Sequence, residues 1–373
     1  MINKETHEEW LDKVYQLRPG YFFSFPKPHE MQIRLKSWGE SLIWLRGREG
    51  EDWVSHFFSG LDGFHRLREL IQRVPREYHE NVFKILAALR PRFLIESTLS
   101  TTTRIEKRWQ QILGVRATAM EEYQKALAEA RVLIFGAGKL GSRFATSLAQ
   151  WNPQQLMIVD DEKITRNDIE ESPAYAFFEV GENRGEALAK TINRMAGRTL
   201  AEGVNLSYED LQGLRERIEN STHVFVAIDR YSPALYDKVN HIALEKKVRW
   251  SFLLVDGWDL YVGPTFFPEQ SGCYHCLELT KKSDMQKPAS YEAFRESLIR
   301  GEKAPDLCSP IAADLAAGFL AADAIHLFGL MPQRIEAEAS LTIGRQLHVN
   351  LRTFDAYFHP MIKKPRCTVC GTV

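Results

Sequence analysis

Along Met31-Gln32-Ile33-Arg34-Leu35-Lys36-Ser37-Trp38-Gly39, apolar and polar side chains alternate with the period of a half-buried strand. A second such run, Ser41-Leu42-Ile43-Trp44-Leu45-Arg46-Gly47, follows at once, and the pair predicts a β-hairpin. The period then lengthens. After Leu61-Asp62-Gly63, the residues Leu67, Leu70, Ile71 and Val74 recur at helical spacing, and Pro75 closes that helix. Val82, Ile85, Leu86 and Leu89 form a second helical stripe, and Phe93-Leu94-Ile95 reads as a short strand. A hairpin with short helices and a wing is a winged-helix arrangement, expected here over residues 1–100. DNA-binding members need a basic recognition helix, whereas residues 78–90 carry Glu80 and Lys84 at polar positions. Two readings of this domain remain: a stabilising appendage, or a hairpin edge that accepts an extended peptide by strand addition.

Residues 98–120, rich in Ser, Thr and Arg, read as a linker into a helix over 121–130 with Tyr123, Ala126 and Leu127 inward. The pattern then changes character. Val132-Leu133-Ile134-Phe135 is a continuous apolar run, as in a strand buried within a parallel sheet. It leads into Gly136-Ala137-Gly138-Lys139-Leu140-Gly141, a GxGxxG, and a helical pattern continues through Phe144, Leu148 and Trp151. Strand, glycine turn and helix in that order predict a nucleotide-phosphate site: Gly136 for the turn, Gly138 for phosphate approach, Gly141 for close packing. A second strand, Leu156-Met157-Ile158-Val159, ends in Asp160-Asp161, where an acid hydrogen-bonds ribose hydroxyls. A third, Val224-Phe225-Val226-Ala227-Ile228, ends in Asp229. An acid there holds Mg²⁺ against phosphates, which favours ATP over a dinucleotide; its alternative role is a helix N-cap ahead of Pro233. The fold class expected is α/β: a Rossmann-like doubly wound sheet over 101–373, preceded by the small winged-helix domain.

Composition narrows the partners. At 373 residues the chain suits two domains, and 48 basic residues against 49 acidic ones leave no field for nucleic acid. The first residues are polar without a signal core, and no run approaches the roughly 18 apolar residues that span a bilayer. A cytoplasmic chain without a membrane partner is expected. Four of the five cysteines form two CxxC pairs, Cys273/Cys276 and Cys367/Cys370. Such pairs suit a closed tetrahedral zinc site, here one that staples the C-terminus onto a distant loop. His275, between the first pair, is expected to face solvent. Cys308 precedes an Ala-rich helical pattern over Ala312 to Ala324 and is expected to pack there, with a thioester nucleophile as the alternative. Residues 281–303 are polar and charged with no strand or long helix signal, and plain disorder is one reading of them.

The order of GxGxxG, ribose acid, strand-end Asp and paired CxxC resembles the ThiF/MoeB adenylating superfamily, relatives of the ubiquitin-activating enzymes, from about Arg104 onward. The first hundred residues resemble the leader-peptide clamp of the branch that matures ribosomally made peptide natural products (RiPPs). The resemblance implies that Gly136, Gly138 and Gly141 cradle phosphates, Asp160 holds ribose and Asp229 holds Mg²⁺. It implies that Arg108 reaches the triphosphate of the partner in a homodimer, that Arg184 replaces the family lysine, and that Cys273, Cys276, Cys367 and Cys370 hold structural zinc. The activity implied is ATP–Mg²⁺-dependent adenylation of a carboxylate or amide in a leader-bound precursor peptide, leading to cyclisation or cross-linking in antibiotic-type products. A second maturation enzyme would be a further partner. Residues 281–303 resemble the crossover loop that covers the family's active site. Two departures stand out: Asp168 and Glu171 occupy the places of an Asn and an Arg that contact ATP. Acids beside a polyphosphate repel it unless Mg²⁺ intervenes. The same departures resemble the leader-binding partners of YcaO cyclodehydratases, so a non-catalytic binding role is the alternative.

Overall fold

Each of the chain's two units, Met1–Glu122 and Tyr123–Val373, has a hydrophobic core of its own. The structure, a computed structural model, describes residues 4–18, 21–35, 37–96, 125–328 and 341–371. The expected linker over 98–120, Arg108 and residues 121–124 of the helix expected over 121–130 lie outside the described residues; residues 125–128 are helical, with Leu127 buried.

The first unit holds two three-stranded antiparallel sheets. One is β2 (Phe22–Ser24), β3 (Glu30–Arg34) and β4 (Ile43–Arg46); the other is β1 (Val14–Leu17) between β5 (Asp62–Arg66) and β6 (Leu94–Glu96). The hairpin strands are shorter than their alternating runs, and Leu35 and Leu42, just beyond the paired residues, are exposed. Asp62 and Gly63 open strand β5, which runs into the helix expected from Leu67. There Gly63 takes φ +86°, and the Asp62 carboxylate accepts the Phe64 and His65 backbone N–H groups at 2.8 and 3.2 Å. The helix that follows spans only Leu67–Ile71, while Val74 packs inward beyond its end. Helix His79–Leu89 lays Val82, Phe83, Leu86 and Leu89 into the core. Its Lys84 pairs with Glu80 at 2.9 Å, so the outer face carries no basic stripe.

The second unit is built on one eight-stranded sheet, ordered β14-β13-β12-β11-β10-β7-β8-β9. Its members are β7 (Arg131–Phe135), β8 (Gln155–Val159), β9 (Ala201–Val204), β10 (His223–Val226), β11 (Arg249–Asp256), β12 (Asp259–Val262), β13 (Arg345–Asn350) and β14 (Asp355–Pro360). Strands β7 to β11 run parallel, and β12 to β14 continue the sheet as an antiparallel meander. Helices Leu211–Glu219 and Pro233–Lys246 cover one face through Leu214, Ile218, Tyr236 and Val239 against Phe135, Val226 and Phe252. Helices Lys139–Ala149 and Pro310–Phe328 pack together on the sheet as well.

Two expectations need correction. Residues 281–303 are not a plain loop: helix Tyr274–Asp284 ends there, and Pro288–Ile299 forms another with Pro288 in its first turn. Its inward positions Tyr291, Arg295 and Leu298 are spaced i, i+4, i+7, but two of the three are polar, so no hydrophobic period betrays the helix. The Tyr291 hydroxyl donates to Glu278 Oε2 at 2.8 Å and lies 2.9 Å from the Tyr231 hydroxyl, while Arg295 pairs with Asp237. The second correction concerns Pro310–Phe328, which by length and composition is apolar enough to cross a membrane. Its alanines and leucines supply that hydropathy, and 61% of the apolar stretch is buried inside the protein.

Candidate nucleotide and metal sites

Strand register assembles the glycine turn. Phe135 on β7 pairs with Val159 on β8 and with Val226 on β10, so Gly136, Asp160 and Ala227 emerge level at the strands' carboxyl ends. This is the edge at which open α/β sheets take ligands. Gly136 sits at φ +103°, a conformation that a side chain would strain. A Cβ on Gly138 would run into the Asp229 carboxylate, and one on Gly141 into the Gly136 carbonyl.

Helix Lys139–Ala149 has no side-chain cap of its own. Its first N–H groups are satisfied from another strand: Lys139 N and Leu140 N donate to the two Asp229 oxygens, each at 2.9 Å. A carboxylate at a helix N-terminus is favoured by the dipole and by the unpaired N–H groups. Asp229 therefore caps the glycine-turn helix, while helix Pro233–Lys246 begins after Ser232. Burial pushes the Asp229 pKa up, opposed by those two N–H bonds.

Asp160 is buried and fully engaged. It accepts Ala137 N at 2.7 Å, Glu162 N at 2.9 Å and the Arg184 guanidinium at 3.2 Å. Its pKa is also raised by burial, against the pull of Arg184. Arg184 bridges three acids, reaching Asp160 and Asp168 at 3.2 Å and Glu162 at 2.6 Å. Burial alone would lower the Arg184 pKa; the three carboxylates outweigh it and hold the guanidinium charged. Asp168 completes a capping box with Thr165 at the start of helix Arg166–Glu171. Its pKa falls because the Thr165 and Arg184 hydrogen bonds outweigh its burial.

Both acids that would repel a polyphosphate thus carry their own counter-charge. Asp168 has Arg184, and Glu171 meets Lys139 Nζ at 2.8 Å. Sequence reasoning passed over Lys139, whose ammonium is buried and also contacts Asp306 at 2.7 Å. A lysine inside a GxGxxG was the available signal. It was missed because its two partners come from segments 32 and 167 residues away. Cys308 lies beside this cluster, buried, with its N–H on Asp306 at 3.1 Å. Burial pushes its thiol up to about 12, which removes thiolate character at neutral pH.

The four CxxC sulfurs come together within 4.8 Å of one another. Cys273 Sγ lies 4.0 Å from Cys276 Sγ and 3.8 Å from Cys367 Sγ, and Cys276 Sγ lies 3.5 Å from Cys370 Sγ. Zinc–sulfur bonds of about 2.3 Å in a tetrahedron set sulfur pairs roughly 3.8 Å apart, so this donor set fits a closed metal site. The Lys364 N–H points at Cys276 Sγ at 3.4 Å, support of the kind that orients thiolate ligands. His275 is not among the four donors and lies 3.5 Å from the Thr368 hydroxyl.

In the first unit, β4 is an outer strand of its sheet. Trp44 on it is half exposed, with Arg46 stacked 3.6 Å over its ring and Nε1 donating to Glu30 at 3.2 Å.

Residues 110–369 match the ThiF family, and the chain belongs to it. The ubiquitin-like modifier-activating enzyme ATG7 of Eremothecium gossypii is 26% identical over 178 residues, 41% of this chain and 27% of that one. ATG7 of Candida glabrata is 24% identical over 172 residues, with the same shares. The chain thus spans about a quarter of the length of these curated relatives. Among solved structures, E. coli MccB with ATP superposes with a TM-score of 0.66 at 17% identity, covering 96% of this chain and 99% of that one. The microcin C7 biosynthetic enzyme MccB in complex with N-formylated MccA gives 0.68 at 17%, with the same coverage. PaaA gives 0.64 at 18%, covering 92% and 99%. At these identities the likeness is one of fold.

Proposed function

We propose that this chain is an ATP-dependent adenylating enzyme that matures a ribosomally made peptide. The observation that carries the reading is the convergence of Gly136, Asp160 and Asp229 at one strand edge of a ThiF-family sheet. The likeness of fold to MccB and PaaA over nearly the whole chain supports the peptide branch. The exposed edge of β4 would add the precursor's leader as a further strand, with Trp44 as an apolar anchor. The winged-helix description of residues 1–100 and the adenylation domain over 101–373 belong to this reading.

In the reaction, a carboxylate or amide oxygen of the precursor attacks the α-phosphorus of ATP, and pyrophosphate leaves. A peptide nitrogen then attacks the activated carbon, and AMP leaves with the bond electrons. Gly136, Gly138 and Gly141 would let phosphate approach the backbone, and Asp160 would hold ribose. Arg184, with Arg108 of a second subunit in a homodimer, would neutralise phosphate charge. Asp229 would hold Mg²⁺, whose charge offsets the polyphosphate. Zinc on Cys273, Cys276, Cys367 and Cys370 would be structural, because four thiolates leave no open coordination position.

A second reading has its own observation. Arg184 is committed to three carboxylates and Asp229 to two helix N–H groups, so a triphosphate would have to displace both. That favours a non-catalytic leader-binding partner of a YcaO-type enzyme. The two separate on incubation with ATP, Mg²⁺ and a candidate precursor peptide. AMP release with a mass change in the peptide supports the enzyme, and peptide binding without AMP supports the partner. Asp229→Ala should abolish AMP release and leave leader binding intact.

A further inference from the structure

The antiparallel end of the large sheet carries a constellation that nucleotide chemistry does not use. On β12 to β14 the side chains alternate between faces. Leu260, Val262, Leu347 and Val349 are buried, while Asp259, Tyr261, His348, Asn350, Tyr357 and His359 share the other face. His348 lies opposite Tyr357, which makes His359 its diagonal neighbour on β14. Every residue of β14 is exposed, so burial gives no reason for imidazoles to meet there.

They meet in a defined way. His348 Nδ1 and His359 Nε2 are 3.2 Å apart, and His348 Nε2 is 2.7 Å from Asp259 Oδ1. A carboxylate only accepts, so Nε2 carries the hydrogen, and in the neutral ring Nδ1 is then the nitrogen with a lone pair on the His359 side. Asp259 is itself held by the Asn350 amide at 2.8 Å. The His348 ring is further fixed by stacking on Tyr261, with centroids 4.6 Å apart and planes 18° from parallel. Two metal–nitrogen bonds of about 2.0–2.1 Å, meeting at roughly 90–110°, place their nitrogens about 2.9–3.4 Å apart. The observed gap falls within that span. A carboxylate on the far nitrogen of a histidine is the usual support of a metal-ligating imidazole, fixing tautomer and ring orientation.

We propose that His348 Nδ1 and His359 Nε2 bind a divalent first-row transition ion of the imidazole-preferring kind, such as Ni²⁺, Cu²⁺ or Zn²⁺, with Asp259 as the positioning residue. Two protein ligands leave further positions to water, so the site is open, in contrast to the closed cysteine site. The ion clips the exposed edge strand β14 to β13. This inference does not depend on the nucleotide reading.

The test is calorimetric titration of Ni²⁺ into the tag-free full chain, with its cysteine site kept zinc-loaded. The wild type should bind one Ni²⁺ saturably, and His359→Ala should abolish that binding. Because residue 359 lies on a fully exposed strand, this variant should keep the wild-type melting curve. Asp259→Asn should weaken binding about 10- to 100-fold without removing it. Ni²⁺ should raise the melting temperature of the wild type but not of His359→Ala. Absence of saturable binding would reduce the pair to a hydrogen bond and overturn the proposal. Equal binding by His359→Ala would do the same, by placing the ion elsewhere.

Discussion

The cysteine cluster and the glycine turn are both closed by residues far apart in sequence, yet their chemistry makes them unlike. At the cysteines, four identical donors converge on one point, and among the described residues no other ligand joins them. At the glycine turn, acids and cations have many partners to choose from. Asp229 takes helix N–H groups, Arg184 takes three carboxylates, and Lys139 takes two more. A directional, soft-ligand site is specified by residue type and spacing. A site of mobile charges is specified only by what the fold brings near.

Breaking the cysteine site should produce the largest effect. Cys276→Ser, or a strong chelator on the wild type, should cost roughly 5 kcal/mol or more, because metal binding there is folding free energy. The measurement is a melting curve alongside zinc stoichiometry; an unchanged curve with zinc lost would remove the clasp from the account. Next comes Arg184→Ala, which leaves Asp160 and Asp168 without their cation and should cost about 3–5 kcal/mol in urea unfolding. Lys139→Ala should matter less, about 1 kcal/mol, because Glu171 and Asp306 keep side-chain exposures of 40% and 27% and can turn to water. If Lys139→Ala matched Arg184→Ala, the turn would behave as one cooperative network. The smallest effect is a pH dependence. The Asp168 pKa is lowered, so its contribution is complete above the unfolded carboxylate value near 4 and is lost as pH falls below it. Asp168→Asn should flatten that acid limb of the stability curve and leave the dependence between about pH 6 and 8 unchanged.

Much of the architecture was legible because it rests on period and punctuation. Val132 to Phe135, Leu156 to Val159 and Val224 to Ile228 are apolar throughout. The first two fall within the buried parallel strands Arg131–Phe135 and Gln155–Val159, and the third begins within His223–Val226 and runs two residues past its end. Helix Pro288–Ile299 escaped notice because its inward face is Tyr291 and Arg295, polar groups that become inward only once Glu278 and Asp237 lie opposite.

The sequence alone determined the glycine turn, the order of the central parallel strands' acids and the four-cysteine donor set. Each depends on a local preference, whether positive φ, continuous apolarity or soft ligation, that the chain carries wherever it goes. Packing of distant segments is what makes Asp229 cap the helix of another strand, Arg184 serve three acids and Lys139 answer Glu171. Charges act through space and pair with whatever the fold sets within a few ångströms, and that distance is not written in residue order.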